Sequence, residues 1–232
     1  MTKATTKAEK RPAAKPTQAE YAHAELKRMM LDGTLPFGTQ MLESEAAERL
    51  KISRTPIREA MILLQQEGMV ELRPRHGMRV LPVSADDMRD IYDVLTALEG
   101  KAAELLAERR LSQDELDGLW DAVEQMEAAL AADELADWAE ADDLFHLRLI
   151  DLTRNKRLIG MVNQLRAQAH RARMATLFLR PRPTESNREH RALVDAIASG
   201  DPAEARRMHE EHRTRAKELL VNILRSLGGA QM

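Results

Sequence analysis

Residues 53–83, SRTPIREAMILLQQEGMVELRPRHGMRVLPV, change their apolar period once, and that change constrains the fold more than any other feature. Up to Gln66 the apolar positions Ile57, Met61 and Leu64 recur at helical spacing and form one stripe, which Gly68 ends. From Met69 the period drops to two, as expected of a strand, a polar turn at Arg75-His76-Gly77 and a second strand. Two shorter helical patterns precede this unit. QAEYAHAELKRMMLDG places Tyr21, Leu26, Met29 and Met30 at helical spacing and stops at Gly33. After an LPFG loop, SEAAERLK turns Ala46, Ala47 and Leu50 inward. Three helices followed by a hairpin is the element order of a winged helix-turn-helix, here over residues 17–83.

From Ser84 onward the texture is helical throughout. The spacing predicts helices near 85–110, 112–132, 133–154, 155–179, 184–199 and 202–227. Ser112 and Asp133 stand as N-caps, Pro181 and Pro183 make a break, and Gly200-Asp201-Pro202 forms a turn. The charged stretch 112–132 is too short for a coiled coil, so it reads as one amphipathic member of the group. Six helices with short connections over residues 84–232 make an all-α antiparallel bundle, and the fold class is mainly α. At 232 residues and 44% hydrophobic the chain can fill two modest cores, and with 3% aromatic residues those cores are aliphatic.

Composition narrows the setting. No run of 18 apolar residues is present, which excludes a membrane-spanning helix. Residues 1–16 lack an apolar signal core and read as a disordered basic arm. The absence of cysteine excludes disulfides and thiolate metal sites, and the expected location is the cytoplasm. Residues 1–83 hold 14 Lys/Arg against 10 Asp/Glu, whereas residues 84–232 hold 21 against 28. A basic front and an acidic back suit a chain of which only one part meets a polyanion.

The front carries residues suited to that task. In SRTPIREA, Thr55 is placed to cap a helix whose first residue is Pro56, with Arg54 and Arg58 flanking the start. A helix start offers free N–H groups and a positive dipole end to phosphate, and a guanidinium there can fork onto the O6/N7 edge of guanine. With Ile57, Met61 and Leu64 inward, Arg54, Thr55, Arg58 and Glu59 remain exposed at the end that a recognition helix inserts into the major groove. The hairpin tip adds Arg73, Arg75 and His76, beside a Gly77 that permits close backbone approach.

The segment LESEAAERLKISRTPIREAMILLQQEGMVELRPRHGMRV resembles the GntR family of bacterial transcription regulators, whose hallmark is Ser/Thr-Arg-Thr-Pro-Val/Ile-Arg-Glu-Ala. The resemblance covers residues 17–83. It implies that Arg54, Thr55 and Arg58 contact bases or phosphates, with Ser53 on the DNA backbone and His76-Gly77 at the wing tip. Some relatives carry a basic residue where this chain has Ser44, which bears on operator preference.

Histidines mark the second half. His190 and His212 are each eleven residues from Asp201, so a reversal there sets them level on two antiparallel helices, about 16 Å from the turn. Asp142 and His146 share a helix face four residues apart, with Asp143 as the alternative carboxylate. Asp142, His146, His190 and His212 form a nitrogen and oxygen set suited to a divalent cation, with Zn, Ni and Mn as the candidates. His209 matches this geometry less well and reads as a surface residue. Residues 84–232 resemble the helical effector domain, FCD, of the FadR branch. The resemblance puts the same four residues in register with the metal ligands of its metal-binding members. Where that domain often has an arginine in its first helix, IYDVLTALEG has Leu95, a core residue by pattern, with Arg171 and Arg173 as candidate replacements.

These observations lead to a homodimeric regulator on a palindromic DNA duplex, its affinity altered when a small-molecule effector, a carboxylate by expectation, meets the metal site. Two rivals compete with it: an architectural DNA-binding dimer without effector, and a helical metallohydrolase. The hydrolase lacks a positioned general base and oxyanion partner beyond the ligands, so no enzymatic activity is expected.

Overall fold

A computed structural model describes residues 16–229; the basic arm expected over residues 1–16 lies almost wholly outside them. Helix α1 (Gln18–Leu31) opens with a capping box, in which Thr17 Oγ1 accepts from Glu20 N–H and the Glu20 carboxylate accepts from Thr17 N–H. Strand β1 (Gln40–Met41), helix α2 (Glu43–Leu50), helix α3 (Arg54–Gln66), β2 (Val70–Arg73) and β3 (Gly77–Val80) complete the front half. The hairpin is joined by a third strand, just after the LPFG loop, to which the sequence pattern assigns no element. The antiparallel order is β1-β3-β2, with Met41 opposite Met78. This strand accounts for Gly77: at φ +70° it lies so close to β1 that a Cβ would collide with Met41 O.

Helix α3 starts two residues earlier than its Thr-Pro pattern suggests. Ser53 is the N-cap, with extended backbone and no side-chain cap bond, and Arg54 is the first helical residue. Thr55 is therefore not the cap. Pro56 falls at the third helical position, still within the turn whose N–H groups have no helical partner, so its missing donor costs nothing. Ile57, Met61 and Leu64 are buried as the stripe requires, each contributing about 1.5–3 kcal/mol. On α1 Leu26, Met29 and Met30 are buried as expected, together with Ala22, whereas Tyr21 is exposed.

Helices α4 (Ala85–Arg109), α5 (Gln113–Ala131), α6 (Leu135–Leu152), α7 (Lys156–Thr176), α8 (Thr184–Ser199) and α9 (Pro202–Gly229) form the bundle, with a 3-10 turn at Leu177–Leu179. Ser112 is the N-cap of α5, and its N–H and Oγ–H donate to the Glu115 carboxylate at 3.1 and 3.2 Å. Asp133 is not a cap but a left-handed turn residue at φ 63°, and Glu134 precedes α6. Gly200 ends α8 in the left-handed region, and Asp201 Oδ1 accepts from Glu204 N–H to start α9. The long helices α4 and α9 lie against each other, α5 packs on α6, and α8 runs back along α9. The cores are aliphatic apart from single aromatic residues, such as Phe145 and Tyr92.

Helix α7 also touches the front half. Ala167 joins the winged helix core, Gln168 Nε2 donates to Glu67 O at 2.7 Å, and Arg171 Nη1 donates to Met69 O at 3.2 Å. The Arg171 guanidinium lies 5.3 Å from the Phe37 ring centroid. No described helix is long and apolar enough to cross a membrane.

Candidate nucleic-acid interface and buried histidine centre

The start of α3 and the wing tip open onto one groove. Its walls include Ser44, Arg54, Arg58, Arg73, Arg75 and Gly77. Ser53, Arg54, Thr55, Arg58, Arg75 and His76 are exposed. Arg58 makes one loose contact, Nε to Glu43 Oε1 at 3.7 Å, and Arg73 is turned back onto Glu71 at 2.8 Å. Arg54 and Arg75 form no ion pair with any described residue. Exposed cations without internal partners remain hydrated and are available to an external anion. The groove unites Arg54 and Arg58 of the helix with Arg75 and Gly77 of the wing and places Ser44 beside them, whereas Ser53, Thr55 and His76 do not line it.

The bundle brings Asp142, His146, His190 and His212 together. Asp142 and His146 come from α6, His190 from α8 and His212 from α9; all four are buried, and one potential ligand atom from each lies within 4.8 Å of the others. Asp142 Oδ1 is 3.8 Å from His146 Nε2 and 3.6 Å from His190 Nε2. The two Nε2 atoms are 3.4 Å apart, and the His190 and His212 rings lie 4.4 Å apart by centroid.

Outer contacts assign the tautomers of His190 and His212. His190 Nδ1–H donates to Ser186 O at 2.7 Å, and His212 Nδ1–H to Glu189 Oε2 at 2.7 Å. His146 Nδ1 lies 3.3 Å from Glu99 Oε2, an ion-pair contact that misses hydrogen-bond alignment. His190 and His212, neutral with the proton on Nδ1, each turn a bare Nε2 lone pair inward, and His146 Nε2 faces His190 Nε2 at 3.4 Å. A cation bound between these three nitrogens and the Asp142 carboxylate would satisfy all of them at once.

Electrostatics point the same way. Burial pushes the pKa values of all three histidines down, that of His146 to about 3, with Arg213 contributing. Burial by itself would raise the Asp142 carboxyl, but His146, Arg173, His190 and His212 outweigh it and hold Asp142 well below the usual carboxylate range.

Sequence reasoning missed the support around this centre. His209, placed on the surface by pattern, is fully buried, with Nε2 3.2 Å from Glu99 Oε2. Its ring fills the interior one turn from His212, a position that hydrophobic spacing on a charged helix does not reveal. Glu99 is also buried and receives Arg213 Nε at 2.7 Å. Burial would raise its pKa, yet Arg213 and His146 keep it well below its ordinary value. Glu99, His146 and His209 are close enough to be a second ligand group, but Arg213 already neutralises that carboxylate. A signal for Glu99 was present: it occupies the apolar stripe Met88, Tyr92, Leu95, Leu106 of α4.

Asp143, the alternative ligand, faces away from the histidines. It pairs with Arg166 and with Arg173 Nη2 at 2.6 Å, and His170 Nδ1 is 3.6 Å away. Arg173 also reaches Asp142, with Nε 3.7 Å from Oδ2. Neither suggested replacement for an arginine at position 95 is free: Arg173 is held by two aspartates, Arg171 serves the winged helix, and Leu95 itself is core.

Comparison with known proteins agrees with both halves. Residues 18–80 match the bacterial regulatory proteins of the gntR family, and residues 90–215 match the FCD domain. An HTH-type transcriptional regulator from the TAR-I ttuE-ttuC' intergenic region of Agrobacterium vitis is 38% identical over 131 residues, which span 56% of this chain and 77% of that protein. The HTH-type transcriptional regulator LutR of Bacillus subtilis is 29% identical over 213 residues, 83% of this chain and 96% of its own. Among solved structures, E. coli McbR/YncC has a TM-score of 0.76 at 20% identity, covering 90% of this chain and 99% of that one, a likeness of fold.

Proposed function

The chain belongs to the GntR family of bacterial transcriptional regulators and carries an FCD domain, and we propose that its bundle is a metal-dependent sensor controlling an operator-binding head. It is a regulator and not an enzyme. In this reading Arg54, Thr55 and Arg58 meet base edges and phosphates in the major groove, with Ser53 on the DNA backbone and Arg75, His76 and Gly77 at the wing. Two such heads in a cytoplasmic homodimer, about 34 Å apart, read a palindromic duplex.

Asp142, His146, His190 and His212 would hold one divalent cation, with Zn, Ni and Mn as candidates. Bound there, the ion would supply a Lewis acid to which a carboxylate effector can add. The protein's part is to orient the ligands: Ser186 O and Glu189 fix two imidazoles, and Glu99, itself held by Arg213, faces the third.

One observation carries the sensing reading. Helix α7 presents Arg173 to the ligand Asp142 on one side and Gln168 and Arg171 to the winged helix on the other. Any ligand that changes the hold of Asp142 on Arg173 acts on the helix that seats the DNA-reading head. The test is operator affinity, by fluorescence anisotropy on a duplex selected from a random pool. Metal-loaded and chelator-stripped protein are expected to differ by about fivefold or more. Equal affinities would refute the coupling.

A further inference from the structure

Three arginines are buried among the described residues: Arg171, Arg173 and Arg213. Arg173 is neutralised by Asp142 and Asp143, and Arg213 by Glu99. Arg171 makes no ion pair with any described residue. Its bond from Nη1 to Met69 O engages a neutral carbonyl, and its Nε–H is buried without an acceptor. Burial, opposed by no neighbouring charge, pushes its pKa down to about 10. In a guanidinium the Nε–H and one Nη2–H run parallel, and that edge can grip an oxyanion through two donors. No described residue uses this edge of Arg171.

Arg171 stands at the joint between the two halves. It lines a cavity of about 330 Å³, with Met30, Pro36 and Phe37 on the winged-helix side and Met174 of α7 on the bundle side. One carboxylate, Asp32, is in the wall. It is held by Arg28 Nη1 at 2.6 Å and accepts from Thr34 N–H at 2.9 Å, so it is not the missing counter-ion. The Phe37 ring lies 5.3 Å from the guanidinium and is 44% exposed, so it can turn aside without disturbing the core. Apolar walls cannot replace a full hydration shell, and Asp32 adds a negative charge to the cavity. Both features favour a singly charged, weakly hydrated anion over phosphate or sulfate.

We propose that the joint between the winged helix and the bundle is an anion site, in which a planar, singly charged oxyanion of the size of nitrate pairs with the free edge of Arg171. Seated between α7 and the loop after α1, the ion completes the charge balance of the joint and holds the head against the bundle. The site needs neither the metal centre nor an effector, and so goes beyond the sensor reading.

Melting temperatures of the full chain, stripped of metal by a chelator, are compared in sodium nitrate, chloride and sulfate at equal ionic strength. Without a specific site nitrate, the most weakly hydrated of the three, gives the lowest value and sulfate the highest. Binding at Arg171 stabilises the folded state by mass action, so the wild type is expected to melt about 2 °C or more higher in nitrate than in chloride. Arg171→Gln should return nitrate to below chloride and leave the difference between chloride and sulfate unchanged. Arg171→Lys keeps the charge but lacks the fork, and should do the same. A wild type that melts no higher in nitrate than in chloride refutes the site without recourse to any variant. A nitrate advantage that survives both substitutions overturns the role of Arg171. The two readings fail separately: operator affinity that responds to metal in a protein without the nitrate advantage keeps the sensor and removes this site.

Discussion

The DNA-reading groove and the histidine centre handle charge in opposite ways. In the groove, Arg54, Arg58 and Arg75 are exposed and nearly unpartnered, and water compensates them. In the bundle, Asp142, Glu99, Arg173 and Arg213 are buried, and each is compensated by a neighbour. A solvated charge costs the fold little and is free for a partner. A buried charge is tolerable only inside a complete network, so its neighbours matter as much as it does. Substitutions should therefore separate: in the groove they change binding and spare stability, and in the bundle they do both.

The hardest blow to this contrast falls on Glu99. Glu99→Ala leaves the Arg213 guanidinium buried without its carboxylate and should lower stability by about 3–5 kcal/mol in urea unfolding. A loss below about 1 kcal/mol would mean that the network is not compensating anything. Arg58→Ala is the converse case. It should weaken operator binding by about 1–3 kcal/mol per half-site and leave the melting temperature nearly unchanged. Gln168→Ala removes the bond from α7 to Glu67 O and should reduce the metal-dependent change in operator affinity by about 0.5–2 kcal/mol, read as the ratio of loaded to stripped Kd. The smallest effect belongs to Ser53→Ala. Because Ser53 makes no side-chain cap bond, unfolding should register less than about 0.5 kcal/mol, below the usual loss for a serine cap.

Legibility divided along the same line. The winged helix was readable because its signals are local: a helical stripe at Ile57, Met61 and Leu64, then a period of two, then a basic turn. The six bundle helices were readable from caps and breaks such as Ser112 and Gly200-Asp201-Pro202. His190 and His212 could be paired by spacing around one chain reversal and Asp142 with His146 by helical spacing, the resemblance put the four in one register, and they meet in the structure. The supporting residues are different. Glu99 meets Arg213 across 114 positions and Trp138 meets Asn187 across 49, and no local period encodes such pairs. His209 was misplaced because a buried polar residue on a charged helix looks like a surface one until the opposing helix is known. Strand β1 is two residues long, too short for an alternation to show. The start of α3 was misjudged because a Thr-Pro pair suits either the cap or the first turn.

Sensing by the bundle requires that Asp142, His146, His190 and His212 hold a cation. Elemental analysis of protein purified without a histidine tag measures this directly, alongside Asp142→Asn and His190→Ala. About one equivalent of a divalent metal is expected in the wild type and little in either variant. Less than about 0.2 equivalents in the wild type, unchanged after incubation with Zn, Ni or Mn and desalting, would contradict it.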